Sequence, residues 1–244
     1  MQIEGAVALV SGANRGIGEA FVAALLARGA AKVYAASRAG NAVAWSDPRI
    51  VPLVLDTTDP AEVDAAVARA GDVTLLVNNA GVNFNAGLLA APSMEQAETE
   101  VRVNYLGTLR MCRAFAPVLR RNGGGAIVNM ISILGQVHLP LMGSLCASKA
   151  AAYSMTLGVR AELAAQKTQV LAVMPGAVET RMTDGVPVPK IKPAEVAEAA
   201  LAAVEAGEDE VYPGPMAQGW IGQHRADPKA LEKELSAYLP MTAP

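Results

Sequence analysis

Ser11-Gly12-Ala13-Asn14-Arg15-Gly16-Ile17-Gly18 follows a β-rich run, Ala6–Val10, and leads straight into a helix-forming stretch, Ile17–Ala27. A strand, a glycine-rich turn and a helix in that order have a mechanical reading. The turn is sharp, and it brings backbone N–H groups against a pyrophosphate at the helix amino terminus, where the helix dipole favours negative charge. Gly12, Gly16 and Gly18 stand where a side chain would block that approach, with Asn14, Arg15 and Ile17 completing the cradle. Loops collect glycine for many reasons, so the cluster alone is a weak signal. Its place between a strand and a helix is what gives it weight.

Working outward, further short apolar runs alternate with alanine-rich helical stretches. The runs are Lys32–Ala36, Ile50–Leu55, Val73–Val77, Ala126–Ile131 and Gln169–Val173. The helical stretches are Ala61–Ala70, Met94–Leu119, Ser148–Ala165 and Ala194–Ala206. Strands with few polar residues are covered on both faces, which predicts an α/β fold with a doubly wound parallel sheet in three αβα layers. With 244 residues, 52% hydrophobic and 18% charged, residues 1–244 fit one domain with a full core. Thr180–Lys192, rich in proline and polar residues, reads as a flap over the site at about residues 180–192. A tail from about Asp209 to Pro244 begins strand-like at Glu210-Val211-Tyr212 and ends helical over Pro228–Tyr238, either serving assembly or closing the domain.

The second strand ends at Ala36-Ser37-Arg38, about twenty residues past the glycine loop, where such folds recognise the ribose. No carboxylate stands there to bind a free 2′-hydroxyl. Ser37 and Arg38, with Arg15 closing from the glycine loop, instead suit a 2′-phosphate, which points to NADP(H) over NAD(H). Two solvated surface arginines are the alternative.

The bulk numbers narrow the partners. Net charge is −3, with pI near 5.5 and scattered Lys and Arg, so neither nucleic acid nor an anionic membrane is expected. Cys112, Cys146, His138 and His224 do not make a metal-ligand spacing, and no metal is expected. Met1–Gly5 lacks a basic region before the first apolar run, and each apolar run stops short of a membrane span. A cytoplasmic protein acting on a small-molecule substrate is the expectation.

These motifs resemble the short-chain dehydrogenase/reductase family, from Val7 to about Tyr212, and the resemblance implies its Rossmann-type fold. The glycine loop matches the family's Thr-Gly-x3-Gly-x-Gly with Ser11 for threonine, and Asn78-Asn79-Ala80-Gly81 matches Asn-Asn-Ala-Gly. The resemblance implies cofactor contacts from Asn78, Ala80 and Gly81, from Asp56 and Thr57 at the adenine, and from Pro175, Gly176, Val178 and Thr180 near the nicotinamide. It also implies catalytic roles for Asn104, Ser132 and Lys149, with Lys149 on the nicotinamide ribose. It further suggests a homodimer or homotetramer built through Met94–Leu119 and Ser148–Ala165.

The family's tetrad has a tyrosine four residues before its lysine, and here that residue is Leu145. Four residues make about one helical turn, so Leu145 and Lys149 share a face. In the family the lysine lowers the tyrosine's pKa, and the phenol exchanges a proton with the carbonyl oxygen. Leucine cannot transfer a proton, and that contribution is typically worth about 10²- to 10⁴-fold. Tyr153, one turn beyond Lys149, reads as a packing residue, and Cys146, about 100° around the helix, reads as a core thiol. His138, in the Gly135–Gly143 loop bordering the family's pocket, is either a surface residue or a replacement donor.

Three functions follow from these residues. The first is an NADPH-dependent reductase of a small, apolar, cyclic substrate that needs little proton help, such as a protonated imine or a conjugated alkene. The second is a carbonyl reductase frame weakened by Leu145. The third is a non-catalytic NADP(H)-binding protein.

Overall fold

In the computed structural model, which describes residues 1–40 and 45–240, the apolar runs line up as one parallel sheet. The strands are β1 (Val7–Ser11), β2 (Lys32–Ser37), β3 (Ile50–Val54), β4 (Leu75–Asn78), β5 (Gly125–Met130), β6 (Thr168–Val173) and β7 (Glu210–Val211). Their order is β3-β2-β1-β4-β5-β6-β7, and each neighbouring pair is parallel. Chain order reverses between β1 and β4. A crevice opens at the carboxyl edge of such a switch point, and ligands of open α/β sheets bind there.

Side chains alternate across the sheet, so each strand feeds two cores. Ala8, Val10, Val77, Val128 and Val173 pack under α1 (Gly16–Ala27) and α6 (Pro193–Ala206). Leu9, Leu76, Ile127 and Val170 face the opposite way, under α2 (Pro60–Arg69), α4 (Thr108–Arg121) and α5 (Gly143–Leu163). Asp59 caps α2 by accepting from Ala61 and Glu62 N–H, with Pro60 in the first turn.

The structure differs from the sequence-based expectation at several element boundaries. The stretch expected as one regular helix from Met94 to Leu119 is α3 (Glu95–Glu100), a wide π-helical turn (Val101–Gly107) and then α4. Such wide turns insert an extra residue and often lie at functional sites. α5 begins five residues before the expected Ser148, so Leu145 lies in its first turn. In the tail, β7 pairs with β6 and Pro228–Leu235 forms α8, but α7 (Pro215–Ala226) was not expected. The 180–192 segment holds a short 3-10 turn at Arg181–Thr183 and is pinned at its base by a bridge between Val178 and Ile191.

α7 and α8 pack over the start of α5. Ala217, Ile221, Leu231 and Leu235 join Ile133, Leu134, Val137, Met142, Leu145 and Cys146 in one apolar cluster. The tail therefore walls the carboxyl edge of β5 and β6.

Candidate functional site

At the end of β1, Gly12 turns the chain with φ +66, a conformation open to glycine at little cost. A Cβ on Gly18 would run into the Gly12 carbonyl oxygen, so the turn and the start of α1 can close only without one. Asn79 fixes this turn from the side: its Nδ2 donates to Ser11 O at 3.0 Å and to Gly12 O at 3.2 Å. Ser11 Oγ in turn accepts from Asn79 and Ala80 N–H at 3.0 and 3.1 Å. Thr180 packs its methyl against Gly16, bringing the base of the 180–192 segment onto the glycine loop. Asn79 and Ser11 thus do work that the sequence reading did not assign to them, although both lie inside the quoted motifs.

The groups expected at the adenosine end gather at the tips of β2 and β3. Ser37 is buried and its Oγ has no hydrogen-bond partner among the described residues, while Arg15 and Arg38 are exposed. An orphaned buried hydroxyl beside two exposed cations fits a phosphate-bearing ligand, which supplies acceptors for all three. Burial alone would raise the Asp56 carboxyl. Hydrogen bonds from Thr58 N–H and Oγ1, both 2.8 Å, together with the charges of Arg38 and Arg102, hold it below its ordinary value. Thr57 packs against Gly107 of the π-helical turn and its carbonyl accepts from Arg110.

Two expected cofactor contacts place their side chains elsewhere. Asn78 is buried, and its Nδ2 donates to Asn129 Oδ1 at 2.9 Å inside a polar pocket shared with Cys112. The Asn78 side chain ties β4 to β5 rather than lining the crevice. Val178 is likewise buried in the core under α1 and α6. Strand alternation explains Asn78, since Asn79 takes the opposite face.

The expected catalytic groups converge at the end of β5. Lys149 Nζ donates to Met130 O at 2.8 Å. Desolvation pushes its ammonium down to about 8, against the opposing pull of the Glu100 charge. Asn104, buried in the π-helical turn, accepts from Val82 N–H at 2.9 Å and donates to Val82 O and Ser148 Oγ, both at 3.0 Å. A Cβ on Gly81 would lie 3.2 Å from Asn104 Oδ1 and 3.7 Å from Lys149 Nζ, so both groups lie close to that loop and a side chain there would press on Asn104. Ser132 Oγ accepts from Leu134 N–H at 3.1 Å and reaches Pro175 O at 3.5 Å, linking β5 to the Pro175-Gly176 turn. Met216 of α7 packs over Gly176, a contact that no sequence motif announced.

Leu145 is buried among hydrocarbon, one helical turn before Lys149. His138 is exposed. Cys146 is buried, its thiol pushed up by desolvation, and it accepts from Leu139 N–H. Tyr153 donates to Glu210 Oε1 at 2.6 Å, and burial together with that carboxylate pushes its phenol up to about 12. The site as built therefore has a hydrogen-bond donor in Ser132, a cation in Lys149 and an apolar wall. Among the described residues no cluster of His, Cys, Asp and Glu could hold a metal, and no helix is long and apolar enough to cross a membrane.

Known proteins are similar to this chain in sequence and in fold. Residues 6–189 match the family model described as short chain dehydrogenase. The chain is 36% identical over 196 residues to the sorbitol dehydrogenase of Cereibacter sphaeroides, covering 76% of this chain and 75% of that protein. It is 32% identical over 190 residues to the 3-oxoacyl-[acyl-carrier-protein] reductase of Escherichia coli, covering 75% and 78%. A crystal structure of a short chain dehydrogenase from Burkholderia cenocepacia J2315 in complex with NADP matches with TM-score 0.93 at 51% identity, covering 96% of this chain and 99% of that one. Shared motifs, shared topology and a matched family model lead to one assignment: the chain belongs to the short-chain dehydrogenase family.

Proposed function

We propose that this protein is an NADPH-dependent oxidoreductase that delivers hydride to a small, apolar, cyclic substrate, a protonated imine or a conjugated alkene in preference to a simple ketone. The observation that carries this reading is Leu145. It puts hydrocarbon four residues before Lys149, where the family's pattern has its proton donor, while Asn104, Ser132 and Lys149 are present in the matching motifs.

The cofactor assignment rests on Ser37, Arg15 and Arg38, which suit a 2′-phosphate, and on the 51% identical Burkholderia cenocepacia structure, which holds NADP. When bound, the reduced nicotinamide supplies the hydride. Lys149 holds the neighbouring ribose and lends positive charge to the reacting end of the crevice. Ser132 donates a hydrogen bond to a polar atom of the substrate. Leu145, Leu134, Val137 and Met216 exclude water and favour an apolar ring. An iminium nitrogen already carries its proton, and a conjugated alkene takes hydride to give an enolate whose oxygen Ser132 can hydrogen-bond until water supplies the proton, so neither depends on a phenol.

The relatives favour a second reading, in which the chain is a carbonyl reductase or alcohol dehydrogenase slowed by Leu145, because their names record dehydrogenase and ketone-reducing activities. Steady-state NADPH oxidation with cyclic imines, conjugated enones and simple ketones separates the two. The first reading expects imine or enone turnover well above that of ketones, and ketones as the best substrates would overturn it. Tight NADPH binding without turnover of any class would leave a binding protein.

A groove of about 540 Å³ on the outer face between α4 and α5, lined by Tyr105, Leu109, Arg113, Met155, Val159 and Glu162, is the surface through which we propose that two copies associate.

A further inference from the structure

Glu210, on the two-residue strand β7, is partly buried and gathers three elements around its carboxylate. Its Oε1 accepts from the Tyr153 phenol of α5 at 2.6 Å, and its Oε2 accepts from the Tyr212 phenol at 2.7 Å. An ionised carboxylate can only accept, so both phenols must donate to it. The Tyr212 oxygen is then left as an acceptor, and Gln136 Nε2 donates to it at 2.8 Å. Arg225 of α7 approaches the same oxygen at 3.5 Å and stands over the Tyr212 ring, 5.4 Å from its centre. One charge sets the direction of every hydrogen bond in this network.

The two ends of the network reach the groups around the reacting centre. Tyr153 lies one turn beyond Lys149 on the same face of α5, packed with Ile131 and Met174 at the ends of β5 and β6. Gln136 caps the 3-10 turn Ile133–Gly135 that follows Ser132. That turn is tied to the end of β6, since Ile133 N–H donates to Pro175 O at 3.0 Å and Gln136 Nε2 meets Met174 Sδ at 3.1 Å. β7 is held in register by β6, where Glu210 pairs with Ala172 and Val211 with Val173. The Leu145 side chain can give no hydrogen bond across to Ser132, so the polar tie between α5 and the Ser132 turn that runs through side chains passes through Glu210.

We propose that Glu210 is a positioning residue that fixes the Lys149 face of α5 against the Ser132 turn, and so sets the spacing between the cation and the hydrogen-bond donor that hold cofactor and substrate. The assignment rests on the proposed roles of Lys149 and Ser132. Burial together with the Glu210 hydrogen bonds pushes both phenols up to about 12, so they remain protonated donors across the neutral range.

Glu210→Gln keeps the size of the side chain but offers one accepting oxygen where there were two, so one phenol loses its acceptor. The kinetic probe is NADPH with the cyclic imine or the simple ketone, whichever the parent reduces faster. In Glu210→Gln kcat should fall by about tenfold or more, while NADPH affinity and the substrate KM stay within about twofold. Tyr153→Phe and Tyr212→Phe each remove one hydroxyl and should lower kcat in the same way. The double substitution should cost less than the product of the two, because both act through one carboxylate. An unchanged kcat in Glu210→Gln, or a loss confined to NADPH affinity, would overturn the proposal.

Should the glutamine variant not fold, the two phenylalanine variants carry the same kinetic test. The side-chain amide protons of Gln136 read the network without substrate: they should shift in Glu210→Gln and in Tyr212→Phe, and resonances that stay in place in both would overturn the proposal. If the parent reduces neither imine nor ketone, the reading of the function fails, and the Gln136 resonances still decide whether Glu210 holds the turn.

Discussion

At position 145 a single side chain separates ordinary ketone chemistry from the chemistry proposed here. The proposal rests on the spacing of Leu145, one helical turn before Lys149 in α5. What the sequence could not give was the state of the groups that might replace a phenol. His138, which the sequence leaves as either a surface residue or a donor, is exposed, and Tyr153, which reads as a packing residue, donates to Glu210. Glu100 escaped notice altogether, because a glutamate on an amphipathic helix ordinarily reads as a solvated residue.

The lysine makes a prediction with a definite sign. The folded-state value of Lys149, about 8, lies below the ordinary 10.5, so between those values the unfolded chain binds more protons than the folded one. The contribution of this site to stability is unfavourable while the ammonium is charged, below pH 8, and the penalty is relieved as pH rises towards 10.5. Lys149→Arg stays charged throughout and obtains no such relief. Urea denaturation at pH 8 and pH 10 should show the parent gaining on the order of 1–2 kcal/mol relative to that variant. An unchanged difference would mean that Lys149 titrates as an exposed lysine.

At the scale of elements, the glycine loop and the alternation of apolar runs were legible because each rests on local geometry. The strand positions follow from period-two patterning, and the turn from Gly12 and Gly18. A Gly18→Ala substitution sets a methyl group against the Gly12 carbonyl and should weaken NADPH binding by about 100-fold or more in a direct titration, roughly 3 kcal/mol. At the tip of β2, Arg38→Ala should raise the KM for NADPH by about tenfold or more and leave that for NADH nearly unchanged, since only the former carries the 2′-phosphate. Equal effects on both cofactors would remove Arg38 from phosphate recognition.

The π-helical turn at Val101–Gly107 was not legible, because its cause is tertiary. Gly107 must sit against Thr57, and Asn104 must face Val82 and Ser148 at once. α7 was hidden for a different reason. Gly219 and Gly222 dilute its helical signal, and Pro215 at its first turn was the one clear start marker.

Across the whole molecule, the tail packs α7 and α8 onto the apolar cluster that holds Leu145. Leu231 and Leu235 of α8 are buried against the same cluster that holds Leu145. Leu231→Ala should cost about 2–4 kcal/mol of stability by denaturant titration and loosen the pocket wall as well. The proposed association of two copies through the α4/α5 groove predicts that Met155→Arg yields monomer where the parent sediments as a dimer in analytical ultracentrifugation, and a monomeric parent would overturn it.

The central claim, that hydride transfer here proceeds without a phenolic acid, is tested most directly by comparing NADPH-dependent turnover of a cyclic imine and a simple ketone in the parent and in Leu145→Tyr. The account predicts imine turnover in the parent with ketone turnover poor, and a rise in ketone turnover of about two orders of magnitude or more when tyrosine is introduced. Efficient ketone reduction by the parent, with no gain from Leu145→Tyr, would contradict it.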